Sequence, residues 1–108
     1  MRETETIREL NDQFRRSFLG GRVVMTQGVD ALPSEAQSDL MSRIQQFNDF
    51  SADNDPHGEH DFGRIELLGS TFYWKIDYYD TELKYGSENP ANPELTTRVL
   101  TILRAEEY

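Results

Sequence analysis

Apolar residues recur along this chain at two spacings, and the spacing assigns most of its secondary structure. Ile7, Leu10, Phe14 and Phe18 fall three or four residues apart and so share one face of a helix. Thr6 followed by Glu9 has the form of a capping box that predicts where this helix starts, and Gly20 with Gly21 predicts where it ends. The β-branched run Arg22, Val23, Val24, Met25, Thr26 predicts a strand closed by Gln27 and Gly28. A second helix is predicted to begin near Pro33 and Ser34, with Ser34 and Gln37 as a further capping box and Ala36, Leu40, Ile44 and Phe47 on one face. Phe47 and Phe50 bracket its exit into a polar loop.

Beyond that loop the period changes to two. Gly69 and Ser70 separate two strand-like runs, and glycine at the first central position of a two-residue connection predicts a type II′ hairpin. That register pairs Leu68 with Thr71, Leu67 with Phe72, Glu66 with Tyr73, Ile65 with Trp74 and Arg64 with Lys75. Ile65, Leu67, Phe72, Trp74, Ile76 and Tyr78 then face the helices, while Arg64, Glu66, Tyr73, Lys75, Asp77 and Tyr79 face outward. A one-residue slip would turn the apolar set into water. A short helical turn is expected at Thr81 to Lys84, followed by a loop marked by Gly86, Pro90 and Pro93. Arg98 to Arg104 is apolar on both faces, as a central strand requires. The fold class that follows is α+β: a mainly antiparallel four-stranded sheet with two helices packed on one face, in the order α-β-α-β-β-short α-β. At 108 residues the chain is expected to form a single domain.

Charge narrows the function classes. The net charge is -9, and residues 44–97 alone carry -8 of it. Such a field repels nucleic-acid phosphate and anionic membrane and attracts basic proteins or cations. No stretch approaches the roughly 20 apolar residues of a membrane span. Met1 to Glu5 lead into an amphipathic segment rather than a secretory leader. With no cysteine, thiol nucleophiles, disulfides and thiolate metal sites are excluded, and the expected location is the cytoplasm.

The densest polar stretch is Asp53 to Gly63, with both histidines and four aspartates or glutamates in eleven residues. His57 and His60 with Asp53, Asp55, Glu59 and Asp61 are all legitimate ligands for a divalent ion. The spacing H-x-x-H in a loop is nonetheless a weak signal, because Pro56 and Gly58 oppose the helix a zinc peptidase needs. A calcium loop fails at its twelfth position, which is Arg64. The competing reading is structural: Asp53 and Asp55 form turns and His60 anchors the loop to the sheet. Glu66, Lys75 and Asp77 read either as part of a phosphodiesterase site or as an ordinary charge ladder, and the nuclease pattern fails because Tyr73 stands where an acid is required.

The runs DNDPHGEHDFG (53–63), WKIDYYD (74–80) and RVLTILRAEEY (98–108) resemble a bacterial family of small proteins known only as a domain of unknown function, over Gly20 to Tyr108. The resemblance transfers no activity. Families of this kind are small and often carried on mobile elements, which implies a role in conflict between host and invader.

Two function classes follow. The preferred one is a binding protein that presents an acidic, tyrosine-bearing surface to a basic partner, itself a nucleic-acid-binding protein in the sharper form. The sharpest form is an inhibitor of a defence complex, such as an anti-CRISPR or antirestriction protein. The alternative is a small metal-dependent hydrolase built on His57 and His60. The expected binding residues are Asp53, Asp55, His57, Glu59, His60, Asp61, Lys75, Asp77, Tyr79 and Asp80. No catalytic residue and no cofactor is assigned, direct contact with nucleic acid or membrane is not expected, and the sequence leaves the oligomeric state open.

Overall fold

The computed structural model describes residues 3–108; Met1 and Arg2, with which the leading segment begins, lie outside the described residues. Helix α1 (Glu3–Ser17) buries Ile7 and Phe14, as its periodicity requires. It already runs from Glu3, so Thr6 and Glu9 lie inside the helix and do not cap it. Its end is made by Phe18, which takes the left-handed conformation at φ 60° with its N–H donated to the Phe14 carbonyl. Gly20 then turns the chain at φ 96°. Gly21 already belongs to β1 (Gly21–Met25), where a β-carbon would stand 2.6 Å from the Arg98 carbonyl and 2.7 Å from the Phe14 ring.

Gln27 and Gly28 do more than close the strand, for they form a single helical turn, α2 (Gln27–Asp30), that buries Val29. The turn is seated by a distant residue. Glu107 accepts the Gly28 N–H at 2.7 Å and the Thr26 hydroxyl at 2.6 Å, contacts no local pattern reveals. Helix α3 (Ser34–Gln45) buries Ala36, Leu40 and Ile44 as predicted. The Ser34 and Gln37 capping box does not form, because the Gln37 amide is drawn back to the carbonyls of Val29, Asp30 and Leu32.

Strands β2 (Phe62–Leu67), β3 (Ser70–Tyr79) and β4 (Thr97–Arg104) complete a four-stranded sheet of order β1-β4-β3-β2. The α+β class stands, but the sheet is mixed: β1 runs parallel to β4, with Val23 opposite Leu100, and the other pairs are antiparallel. β4 is an inner strand, as expected, with β1 on one side and β3 on the other. A 3-10 turn (Ala105–Glu107) follows it.

The hairpin turns one residue earlier than expected, on Leu68 and Gly69. Leu67 pairs with Ser70, Ile65 with Phe72, Gly63 with Trp74 and Phe62 with Lys75. Leu68 and Gly69 both have positive φ, at 55° and 77°, as a type I′ turn demands. Moving the turn by one residue shifts the pairing by two, and the period of two then leaves every side chain on its expected face. Phe72, Trp74 and Ile76 are accordingly buried with Ile65 and Leu67, and they pack with Phe14, Leu40, Ile44, Leu100 and Ile102 in one core. The corrected register also explains Gly63. It stands directly opposite Trp74, whose indole lies so close over it that a β-carbon there would collide with Nε1.

The expected helical turn at Thr81 to Lys84 is not helix. The Asp80 carboxylate accepts the N–H groups of Glu82 and Lys84, and Tyr79 bridges antiparallel to Gly86, so the chain folds back on the end of β3 through an irregular turn.

Leu68 occupies a turn position that favours asparagine or glycine, and its side chain is 79% exposed. Leu68→Asn is therefore expected to stabilise the protein by about 1 kcal/mol, since a left-handed conformation costs leucine about that much and no core contact is lost. Thermal unfolding followed by circular dichroism should show a higher midpoint; an unchanged or lower one would contradict the turn assignment.

Candidate functional site

The polar loop between α3 and β2 is fastened to α1 residue by residue. The Arg8 guanidinium donates to the Gly58 carbonyl at 2.7 Å, the Asn11 amide to the Glu59 carbonyl at 3.0 Å, and His60 Nδ1 lies 2.9 Å from Asp12. His60 stacks flat on Phe50, with ring centroids 3.7 Å apart. Asp55 is buried and accepts the His60 N–H, while its other oxygen stands 3.7 Å from His60 Nε2. His60 is an anchor, as the structural reading had it, but it anchors the loop to the helix and not to the sheet.

Two buried polar networks extend from the same helix. Arg15 is fully buried and donates to the carbonyls of Ile44 and Phe47 and to Asp12, with the rings of Phe50 and Trp74 each 5.3 Å away. Burial pushes the Asp12 carboxyl up, but the hydrogen bonds from Arg15 and His60 outweigh it and hold the group below its ordinary value. In the second network Arg98 donates to Asn11, Asn11 donates to the Tyr78 hydroxyl, and that hydroxyl donates to Glu59. Burial, ahead of the neighbouring Glu59 charge, pushes the Tyr78 hydroxyl well above the usual phenol range.

The sequence reading missed Arg8, Asn11, Asp12 and Arg15 as a group. Their signal was present: they recur at three- and four-residue spacing and form a polar stripe beside the apolar one.

What the fastened loop creates is a groove. Its rim and the outer face of β2 and β3 enclose about 780 Å³ lined by Asp49, Asp53, Asn54, Phe62, Arg64, Glu66, Tyr73 and Tyr108. A second hollow of about 330 Å³ shares Asn54, Phe62 and Tyr108 with the first and adds Asp61, Lys75 and Asp77. The floor is aromatic: Phe62 and Tyr73 lie 5.2 Å apart, and Tyr108 packs against both. The walls are acidic, and their two cations are already engaged. Arg64 pairs with Glu66 at 2.6 Å and Lys75 with Asp77 at 2.8 Å. Burial and the nearby Glu59 charge raise the Asp61 carboxyl above its ordinary value.

Of the expected binding residues, Asp53 lines the groove, and Asp61, Lys75 and Asp77 line the hollow that adjoins it. Asp55, Glu59 and His60 are occupied in holding the loop, and His57 is exposed on it. Tyr79 stands at the far end of β3 and Asp80 borders a separate hollow with Tyr85 and Glu88. The expected Glu66, Lys75, Asp77 ladder divides in two. In the corrected register Glu66 faces Thr71, which hydrogen-bonds it, and Lys75 faces Phe62. Among the described residues no three histidine, aspartate or glutamate side chains are placed to share a metal ion.

Because the Asp12 carboxyl is depressed in the folded state, the stability it contributes is full above its unfolded pKa and is lost as pH falls through the lower folded value. Asp12→Asn is expected to cost about 3 kcal/mol at neutral pH, by leaving the buried Arg15 charge without its carboxylate. The variant should also lose less stability than the wild type on acidification. Denaturant unfolding at neutral and acid pH measures both, and equal pH slopes would refute this role for Asp12.

No curated protein and no solved structure matches the chain. A family model, described as "Protein of unknown function (DUF3768)", matches residues 25–107. The matched span holds the loop, the groove apart from Tyr108 and every element from α2 onward, while the stripe on α1 that fastens the loop lies before it. The chain belongs to the DUF3768 family.

Proposed function

We propose that the protein is a non-enzymatic binding protein, acting in the cytoplasm, whose groove receives cationic side chains of a basic partner. The observation that carries this reading is the aromatic floor of Phe62, Tyr73 and Tyr108 set between the carboxylates of Asp49, Asp53, Asp61 and Asp77. Arginine and lysine stack on aromatic faces and pair with carboxylates, so a floor and wall of these two kinds suit them together. Arg64 and Lys75 do not oppose this, because each already shares its charge with a neighbouring acid. The wider field acts in the same direction, since residues 44–97 supply -8 of the net charge and include the loop, β2 and β3. In its fuller form the partner is a nucleic-acid-binding protein, and the protein inhibits a defence complex by occupying a surface meant for DNA. The charge and the resemblance to small families carried on mobile elements support that form.

A labelled nona-arginine peptide tests the groove directly. Binding is expected at low salt and should weaken steeply as salt is added. Asp53→Asn with Asp61→Asn should lower affinity about five- to thirtyfold, at about 0.5–1 kcal/mol for each partly exposed pair. Glu35→Gln with Asp39→Asn, which removes the same charge from the surface of α3, should change it little. Equal losses from the two pairs would mean that net charge alone binds the peptide, and the groove would lose its role.

A further inference from the structure

The sheet ends on β2, and the outer edge of that strand is open. The two-residue turn fixes which backbone groups lie there. Leu67 and Ser70 close the turn as a hydrogen-bonded pair, and the alternation of an antiparallel ladder makes Ile65 with Phe72, and Gly63 with Trp74, the next such pairs. The Ile76 N–H bonded to the Asp61 carbonyl continues the same phase. Phe62, Arg64 and Glu66 therefore point their N–H and C=O groups away from β3. Among the described residues none of these backbone groups has a hydrogen-bond partner.

We propose that the β2 edge is a strand-acceptor site that takes an extended, basic segment of the partner as a fifth strand. This rests on the binding reading above and adds how the partner is held. An open edge offers main-chain hydrogen bonds to any extended segment, and specificity then comes from the side chains beside it. Here the same three residues that offer their backbone also line the groove with their side chains, together with Asp49 and Asp53 on the loop rim. Alternate residues of an added strand share the outer face with Phe62, Arg64 and Glu66, where arginine or lysine meets carboxylates and aromatic rings.

Charge selects this occupant over a second copy of the chain. Pairing β2 with β2 would bring together two acidic loops on molecules of net charge -9. The opposite edge of the sheet, β1, carries Arg22 and has no acid among its five residues, so a basic segment has less reason to settle there.

The experiment uses the isotope-labelled protein and a ten-residue peptide alternating arginine and valine. Two further peptides carry backbone N-methyl groups, one on each of the two alternate sets of residues. With the parent peptide at saturation, amide exchange at Arg64 and Glu66 should slow by about tenfold or more from a fast rate in the free protein, while Ile65 and Leu67 are protected throughout. One N-methylated peptide should bind about tenfold more weakly and leave Arg64 and Glu66 unprotected, and the other should behave like the parent. If both methylated peptides bind like the parent and the two amides stay fast, strand addition is overturned while the cationic groove stands. If neither the alternating peptide nor nona-arginine binds, both readings fall. If the free protein sediments as a dimer with Arg64 and Glu66 already slow, the edge belongs to a second copy and the proposal is wrong.

Discussion

The guanidinium of Arg15 is the contact on which the arrangement turns. A fully buried cation costs several kcal/mol in lost hydration unless each donor is answered, and here the answers come from four separate parts of the chain. The carbonyls of Ile44 and Phe47 belong to the end of α3, Asp12 to α1 itself, and the rings of Phe50 and Trp74 to the loop and the sheet. One side chain thereby terminates a helix, packs the loop entry on the core and holds the carboxylate that binds His60. The whole loop follows from it, because Asp12 and His60 set where residues 55 to 60 lie.

Trp74 is the apolar counterpart. It is completely buried, with Gly63 beneath it and Phe47 and Phe50 nearly perpendicular at 5.5 and 6.2 Å, and its indole N–H has no hydrogen-bond acceptor among the described residues. Aromatic and cationic neighbours surround it where a polar partner would otherwise stand. The absence of a side chain at position 63 is thus a packing requirement of the tryptophan across the strand pair.

The division of labour within the loop bears on function. The residues with the most chemical promise in isolation, His60, Asp55 and Glu59, are those the fold consumes as fasteners. What they hold in place is a rim whose remaining acids, Asp49, Asp53 and Asp61, face an aromatic floor and an open strand edge. Charge, ring faces and open backbone groups thus meet on one surface, and the proposed binding role rests on that combination.

Periodicity alone determined the elements that depend on near neighbours. The apolar stripes of α1 and α3, the alternation in β2 and β3 and the two-faced apolarity of β4 are local facts, and their inward residues could be named because a helix or strand fixes side-chain direction from backbone geometry. The turn was legible to within one residue; Leu68 took a left-handed conformation that leucine alone does not advertise, and the error cancelled because two residues return a strand to the same face. The parallel pairing of β1, the turn of α2 set by Glu107, and the Arg15 and Asn11 networks were decided by tertiary structure. Each joins groups up to 87 residues apart, and a contact at that distance leaves no spacing in the sequence by which to find it.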